Sequence, residues 1–408
     1  MRTSQWGAAA MAAGLAVTLT ACAAGAGDGG EVDGQELTML IGSSGDAETQ
    51  AVQAAADAWA EESGNTVEVI AASDLVQQLG QGFSGDNPPD IFYMPWDQFQ
   101  GYAAQGFLEP YASELSNAGD FLPALVEQFT YEDEFYCAPK DFSTLGLQIN
   151  LEAWEAAGLT DADVPTDWDQ LAAVAQTLTT PEQFGLSFGR EYARMGVFMN
   201  QAGGELVDGD TATADSAENV EGIEYVQSLI DAGSLKFPQD IEAGWGGEAF
   251  GLGKAAMVIE GPWINGAMKN DFPERQFISA ELPAGPAGPS TFAFSNCWGM
   301  PVDSPTKDAT IDLIEFLTSD EQQLAFADAF GVIPSTESGA AAYAEAFPDN
   351  AAFVAGVDYA ASPVAFQGAA PVFADFNTKL EQVGSTDAAT LLGTLQGNLQ
   401  SALDAANG

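Results

Sequence analysis

The sequence predicts an α/β protein of two units, with chain segments that cross between them. Three observations carry this expectation. Strand, helix, strand, helix and strand follow one another between Glu36 and Met94, the order of a parallel sheet with right-handed crossovers. A second set of strand and helix patterns begins near Phe184 and runs past Ile259. Two extended apolar stretches, near 135–142 and 292–301, read as crossings between the sets. Two such crossings make a hinge, and a hinge between two lobes leaves a cleft.

Each element has its own local reason. Glu36–Gly42 (ELTMLIG) is apolar enough for a buried strand and ends on glycine. A helix from Asp46 to about Ser63 follows, with Ala47, Ala51, Ala55 and Trp59 on one face and Gly64 as its stop. Thr66–Ala71 (TVEVIA) is the second strand, Leu75–Gln81 a short helix, and Asp90–Met94 (DIFYM) the third strand after the Asn87-Pro88-Pro89 turn. Helices are expected at 151–158, 168–177, 195–202, 217–232, 308–317 and 320–330, strands at 184–188 and 255–259, and a mostly helical tail from Val364. The expected partition is 36–140 with 299–335 for the N-terminal lobe, and 141–298 with 336–408 for the C-terminal lobe.

Composition narrows the function. With 60 Asp+Glu against 10 Lys+Arg, the net charge of −50 excludes nucleic acid and attraction to an anionic membrane surface, which both need clustered cations. The chain has no His, so a Ser-His-Asp mechanism cannot operate. The N-terminus reads as an address. Arg2 precedes the Ala-rich run Gly7–Ala21, too short to span a bilayer, and Leu19-Thr20-Ala21-Cys22 resembles a lipobox whose Cys22 becomes acylated. That makes 1–21 a lipoprotein signal peptide and 22–35, Gly-rich and polar, a flexible tether. Cys137 lies in the first crossing and Cys297 in the second. If the crossings are adjacent strands, a disulfide between them is geometrically reasonable; the alternative is two buried free thiols.

Candidate binding residues cluster at strand ends and in loops. In an open parallel sheet a ligand sits beyond the carboxyl ends of the strands, here Ser43 and Ser44 after the first strand and Trp96 and Asp97 after the third. Trp245 (before Gly246-Gly247), Trp263 (after Gly261-Pro262) and Trp298 also sit beside turn residues. Aromatic faces of this kind stack on the C–H faces of sugar rings, and carboxylates accept from sugar hydroxyls. Asp141, beside Lys140 on the first crossing, and the Arg190-Glu191 pair at the end of the 184–188 strand supply the charged candidates.

Four blocks carry a resemblance: Pro89–Phe92 with Asp97–Pro110; Tyr136–Asn150 around Pro139-Lys140-Asp141; Gly253-Lys254-Ala255-Ala256-Met257-Val258-Ile259-Glu260-Gly261-Pro262-Trp263; and Cys297–Pro301 before the helix ending at Ser319. The mature chain is similar throughout to the bacterial extracellular solute-binding proteins, family 1, of ABC transporters, the group that includes the maltose-binding protein. The resemblance implies a two-lobe periplasmic-binding-protein fold, type II-like, with a ligand cleft between lobes and a hinge of crossing strands. It implies a monomeric, lipid-anchored receptor on the outer surface of the cell membrane that delivers a neutral mono- or oligosaccharide to an ABC permease and its ATPase. Asp97, Asp141, Glu191 and Trp263 take the places of the family's ligand residues, and Phe366 stands near the place of another stacking aromatic. Met94 stands where the maltose-binding protein has a stacking Trp, with Trp96 beside it, and the Ser43-Ser44 turn departs from that protein's charged turn. No enzyme activity, cofactor or metal is expected. The competing ligand is a polyamine, which suits the negative charge, and the competing class is a glycosidase using Asp141 and Glu191 as paired carboxylates.

Overall fold

The structure is a computed structural model that describes residues 34–406. The signal peptide, Cys22 and nearly all of the tether lie outside the described residues.

The first sheet runs Thr66–Ala71, Glu36–Ile41, Ile91–Pro95, Asn296–Gly299, Ala138–Pro139. Its first three strands are parallel, and Asn296–Gly299 joins antiparallel to Ile91–Pro95 and to Ala138–Pro139. The helix Asp46–Ser63 covers it, burying Val52, Ala55 and Trp59, and ends at Gly64 in the left-handed region with φ 75°, a conformation glycine adopts at no steric cost. The second sheet runs Phe277–Ala280, Gly146–Asn150, Ala255–Glu260, Phe184–Ser187. Its two central strands are buried at every position, as strands covered on both faces must be. They are antiparallel to each other, while Ala255–Glu260 is parallel to Phe184–Ser187. Each sheet has its own apolar core, built around Phe92, Phe99 and Leu313 in one lobe and around Leu147, Phe198 and Leu392 in the other.

The crossings pair with each other. Ser143–Thr144 runs antiparallel to Thr291–Phe294, and Ala360–Ala361 adds to the far edge of that small sheet. On the first-lobe side the same two crossings pair again, Cys297 opposite Pro139. Cys137 and Cys297 are disulfide-bonded, with Cα atoms 5.5 Å apart and a sequence separation of 160. Because Asn296–Gly299 belongs wholly to the first sheet, the second crossing falls at Phe294–Asn296, ahead of the boundary expected at 298/299. A small cluster including Leu125, Phe142, Ile333, Tyr343 and Phe353 packs beside the hinge. Helix Glu337–Ala346 reaches that cluster through Tyr343, so it packs against residues of the first lobe instead of joining the second lobe's core.

Candidate functional site

A cavity of about 390 Å³ opens between the lobes at the hinge. The first lobe lines it with Ser44, Glu48, Trp96 and Lys140, the crossings with Asp141 and Ser295, and the second lobe with Glu191, Arg194, Trp263 and Asn377.

The first-lobe wall is built on the N-terminus of helix Asp46–Ser63. Glu48, in its first turn, accepts from the Ser44 N–H and hydroxyl at 2.7 Å each and from the Tyr93 hydroxyl at 3.0 Å. The Lys140 ammonium, 6% exposed, donates to Glu48 at 3.2 Å and to Asp141. It also lies 4.6 Å from the centroid of the Tyr93 ring, an attractive cation–π arrangement. Burial alone pushes the Glu48 carboxyl up, but Lys140, the Ser44 donors and the Tyr93 hydroxyl together hold it below its ordinary value. Burial pushes Lys140 down, and Asp141 and Glu48 more than restore it, leaving it above its ordinary value. For Asp141 burial prevails over Lys140 and its pKa is raised.

The second-lobe wall has the same composition. Glu191 stands at the N-cap of helix Tyr192–Gln201, whose first free N–H, that of Tyr192, is taken by the Asn377 side chain at 2.8 Å. One turn on, the Arg194 guanidinium binds Glu191 through Nη1 at 2.8 Å and Glu260 through Nη2 at 2.6 Å. It lies 5.5 Å from the centroid of the Trp263 ring. The Trp263 indole N–H donates to Glu260 at 3.2 Å. The ring folds back over Gly261, where a Cβ would come within 2.1 Å of it, so the Gly-Pro-Trp turn requires that glycine. Each wall is therefore one cation held between two carboxylates. A second hollow of about 480 Å³ shares Ser44, Glu48 and Trp263 with the first and extends to Trp245, which is 36% exposed.

The structure brings Ser44, Trp96, Asp141, Glu191 and Trp263 together in one cavity and Trp245 into its extension. Trp298 is corrected: it is fully buried in Asn296–Gly299, an interior strand of the first sheet, edge-on to Tyr93 at 5.0 Å, with neighbours on both sides. Ser43 turns inward on its own loop, donating to the Gly45 carbonyl at 2.6 Å and accepting from Thr49. Arg190 is bound to Asp240 at 2.6 Å, donates to the Glu381 carbonyl and lies over the Phe237 ring, which makes it a clamp within the second lobe. Asp97 accepts from the Gln98 amide at 3.0 Å, with its pKa raised by burial, and Phe366 packs on the second lobe's core; neither lines either hollow. Sequence reasoning did not select Glu48, Lys140, Arg194, Glu260 or Asn377. Lys140 stood out as a scarce cation and Arg194 lies one turn beyond Glu191, but only the fold shows their partners. Among the described residues no group of three His, Cys, Asp or Glu is placed to hold a metal ion.

The diacetylchitobiose binding protein DasA of Streptomyces coelicolor is 24% identical over 350 residues, covering 80% of each chain. A maltooligosaccharide ABC transporter solute-binding lipoprotein of Streptococcus pneumoniae is 24% identical over 341 residues, covering 79% of this chain and 77% of the relative. The fold superposes on the substrate-binding protein Lmo0181 of Listeria monocytogenes, in complex with cycloalternan, with a TM-score of 0.81 at 21% identity, over 90% of this chain and 99% of that one. The family model for bacterial extracellular solute-binding proteins matches residues 54–355. The chain belongs to the family of bacterial extracellular solute-binding proteins.

Proposed function

We propose that this chain is the receptor of an ABC importer and binds a neutral oligosaccharide between its lobes. The observation that carries the reading is the cavity itself. Trp96 and Trp263 offer aromatic faces from opposite lobes, and Glu48, Asp141 and Glu191 offer carboxylate oxygens around them. That is the chemistry of a sugar, apolar on its ring faces and hydrogen-bonding at its rim. Both cavity cations are already held by two carboxylates each, so an anionic ligand finds no free positive charge. The adjoining hollow under Trp245 provides length for a further ring. The named functions of DasA and of the Streptococcus lipoprotein support an oligosaccharide. Ligand binding to both lobes would favour the closed form, which a permease with its ATPase would then recognise. Cys22 would carry the lipid anchor of a monomeric, extracytoplasmic protein.

The glycosidase alternative loses its basis. Asp141 is held by the buried Lys140, and the family is one of solute-binding proteins. A polyamine remains the competing ligand, since Asp46 and Asp271 line the outer hollow. Isothermal titration with maltotriose, N,N′-diacetylchitobiose, glucose and spermidine separates the two. Saturable 1:1 binding of a saccharide supports the proposal, and heat from spermidine alone overturns it.

A further inference from the structure

Glu260 belongs to neither the aromatic platform nor the exposed rim of the cavity, yet both depend on it. It is the last residue of the buried strand Ala255–Glu260 and is 2% exposed. Its backbone is clamped across the sheet: its N–H donates to the Gln148 side chain at 3.1 Å and its carbonyl accepts from the same amide at 3.3 Å. Its carboxylate oxygen Oε2 receives both the Arg194 Nη2, at 2.6 Å, and the Trp263 Nε1, at 3.2 Å. One atom thus joins the cation and the aromatic ring that the second lobe presents. Behind it there is no slack, because a Cβ on Gly246 would lie 2.4 Å from the other oxygen, Oε1.

Glu191 holds Arg194 differently. Its side chain is 41% exposed, against 2% for Glu260, and it lines the cavity. Arg194 retains a buried Nε with no hydrogen-bond partner among the described residues. A strand of the scaffold places a supporting group more precisely than a loop does.

We infer that Glu260 is the positioning residue of the second lobe: it locks Arg194 and Trp263 into their binding orientation before a ligand arrives, and leaves Glu191 as the partner that exchanges Arg194 for a ligand hydroxyl. The inference rests on the cavity being a saccharide site, but it concerns the ligand-free protein as well. Glu260 touches no ligand. It acts through two residues that do.

The test uses the full chain as wild type, Glu260→Gln, Gly246→Ala and Glu191→Gln, with Trp263→Phe and Arg194→Gln added singly and in combination. Gly246→Ala displaces the carboxylate without changing its charge, and so stands in if Glu260→Gln does not fold. Near-ultraviolet circular dichroism of the ligand-free proteins reads the Trp263 environment. Glu260→Gln and Gly246→Ala are expected to change the tryptophan band, the change is expected to vanish in a Trp263→Phe background, and Glu191→Gln is expected to leave the band alone. Maltotriose and N,N′-diacetylchitobiose are then titrated. Loss of the charge-assisted contact is expected to weaken the saccharide that binds wild type by about tenfold or more. Combining Glu260→Gln with Arg194→Gln is expected to cost little beyond the larger single loss, because coupled residues are non-additive. An unchanged band in folded Glu260→Gln and Gly246→Ala overturns the inference, as do fully additive losses. Failure of wild type to bind either saccharide counts against the proposed function alone, since the ligand-free band still decides the role of Glu260.

Discussion

Replacing Trp263 by Ala removes the aromatic face of the second lobe and should be the most damaging single truncation in the cavity. The ring is partly buried, packed on the second lobe's core and bonded to Glu260 on one side while lining both hollows on the other. A tryptophan buries about 150–250 Å² in all, so the share left for a ligand is about 100 Å². At about 25 cal/mol per Å² that face contributes about 2.5 kcal/mol, and its loss weakens binding roughly 50- to 100-fold. Arg194 keeps both of its carboxylate partners in the variant, so the loss is not compounded by a stranded charge. The assay is titration calorimetry with the saccharide that binds wild type, alongside a thermal melt without ligand to show that the variant is folded. Affinity within about twofold of wild type, in a folded variant, would refute the assignment of Trp263 to the site.

Glu48→Gln strands part of the Lys140 charge and should destabilise the ligand-free protein by roughly 3 kcal/mol near neutral pH, as broken buried pairs do; chemical denaturation checks it. Because the Glu48 pKa is lowered below the 4.5 of a free glutamate, its stabilisation is fully present above that value and fades as pH falls through the depressed one, so the variant should show a flatter acid limb. Cys137 and Cys297 should resist thiol labelling until reduced. Their loop of 160 residues corresponds to about 5 kcal/mol of constraint on the unfolded chain, read as a lower melting temperature in the reduced protein; immediate labelling of both in the native state refutes the bond. Trp298→Phe should leave saccharide affinity unchanged and lower stability by about 1–2 kcal/mol through lost packing, since its indole N–H has no hydrogen-bond partner among the described residues.

The first lobe was legible because its information is local. Apolar runs, the glycine at 64 and the helical spacing from Ala47 to Trp59 each act within a few residues, and the strands Glu36–Ile41 and Thr66–Ala71 appear where they were expected. Trp263, which lines the cavity, could be singled out because Gly-Pro-Trp is a local turn. Trp298 was misread because its sequence surroundings show an extended segment and a turn, but not that a strand lies on each side of it. The charged half of the cavity was hidden for another reason. Lys140 meets Glu48 across 92 residues of sequence, and Arg194 meets Glu260 across 66. No spacing rule links such positions, and each partner taken alone looks like a surface charge in an acidic chain.

The hinge has one consequence for what the receptor can report. Ser295 donates its hydroxyl to the Asp141 carbonyl at 2.6 Å, so the two crossing strands are tied at the point where the lobes pivot, and both residues also line the cavity. The fulcrum lies inside the grip. A small molecule that touches only Asp141 and Ser295 would meet the crossings alone and leave the aromatic faces of both lobes untouched. One long enough to reach Trp263 and Trp245 would also engage the second lobe. Length, more than tightness, would then decide which occupants turn a filled cleft into a message for the membrane.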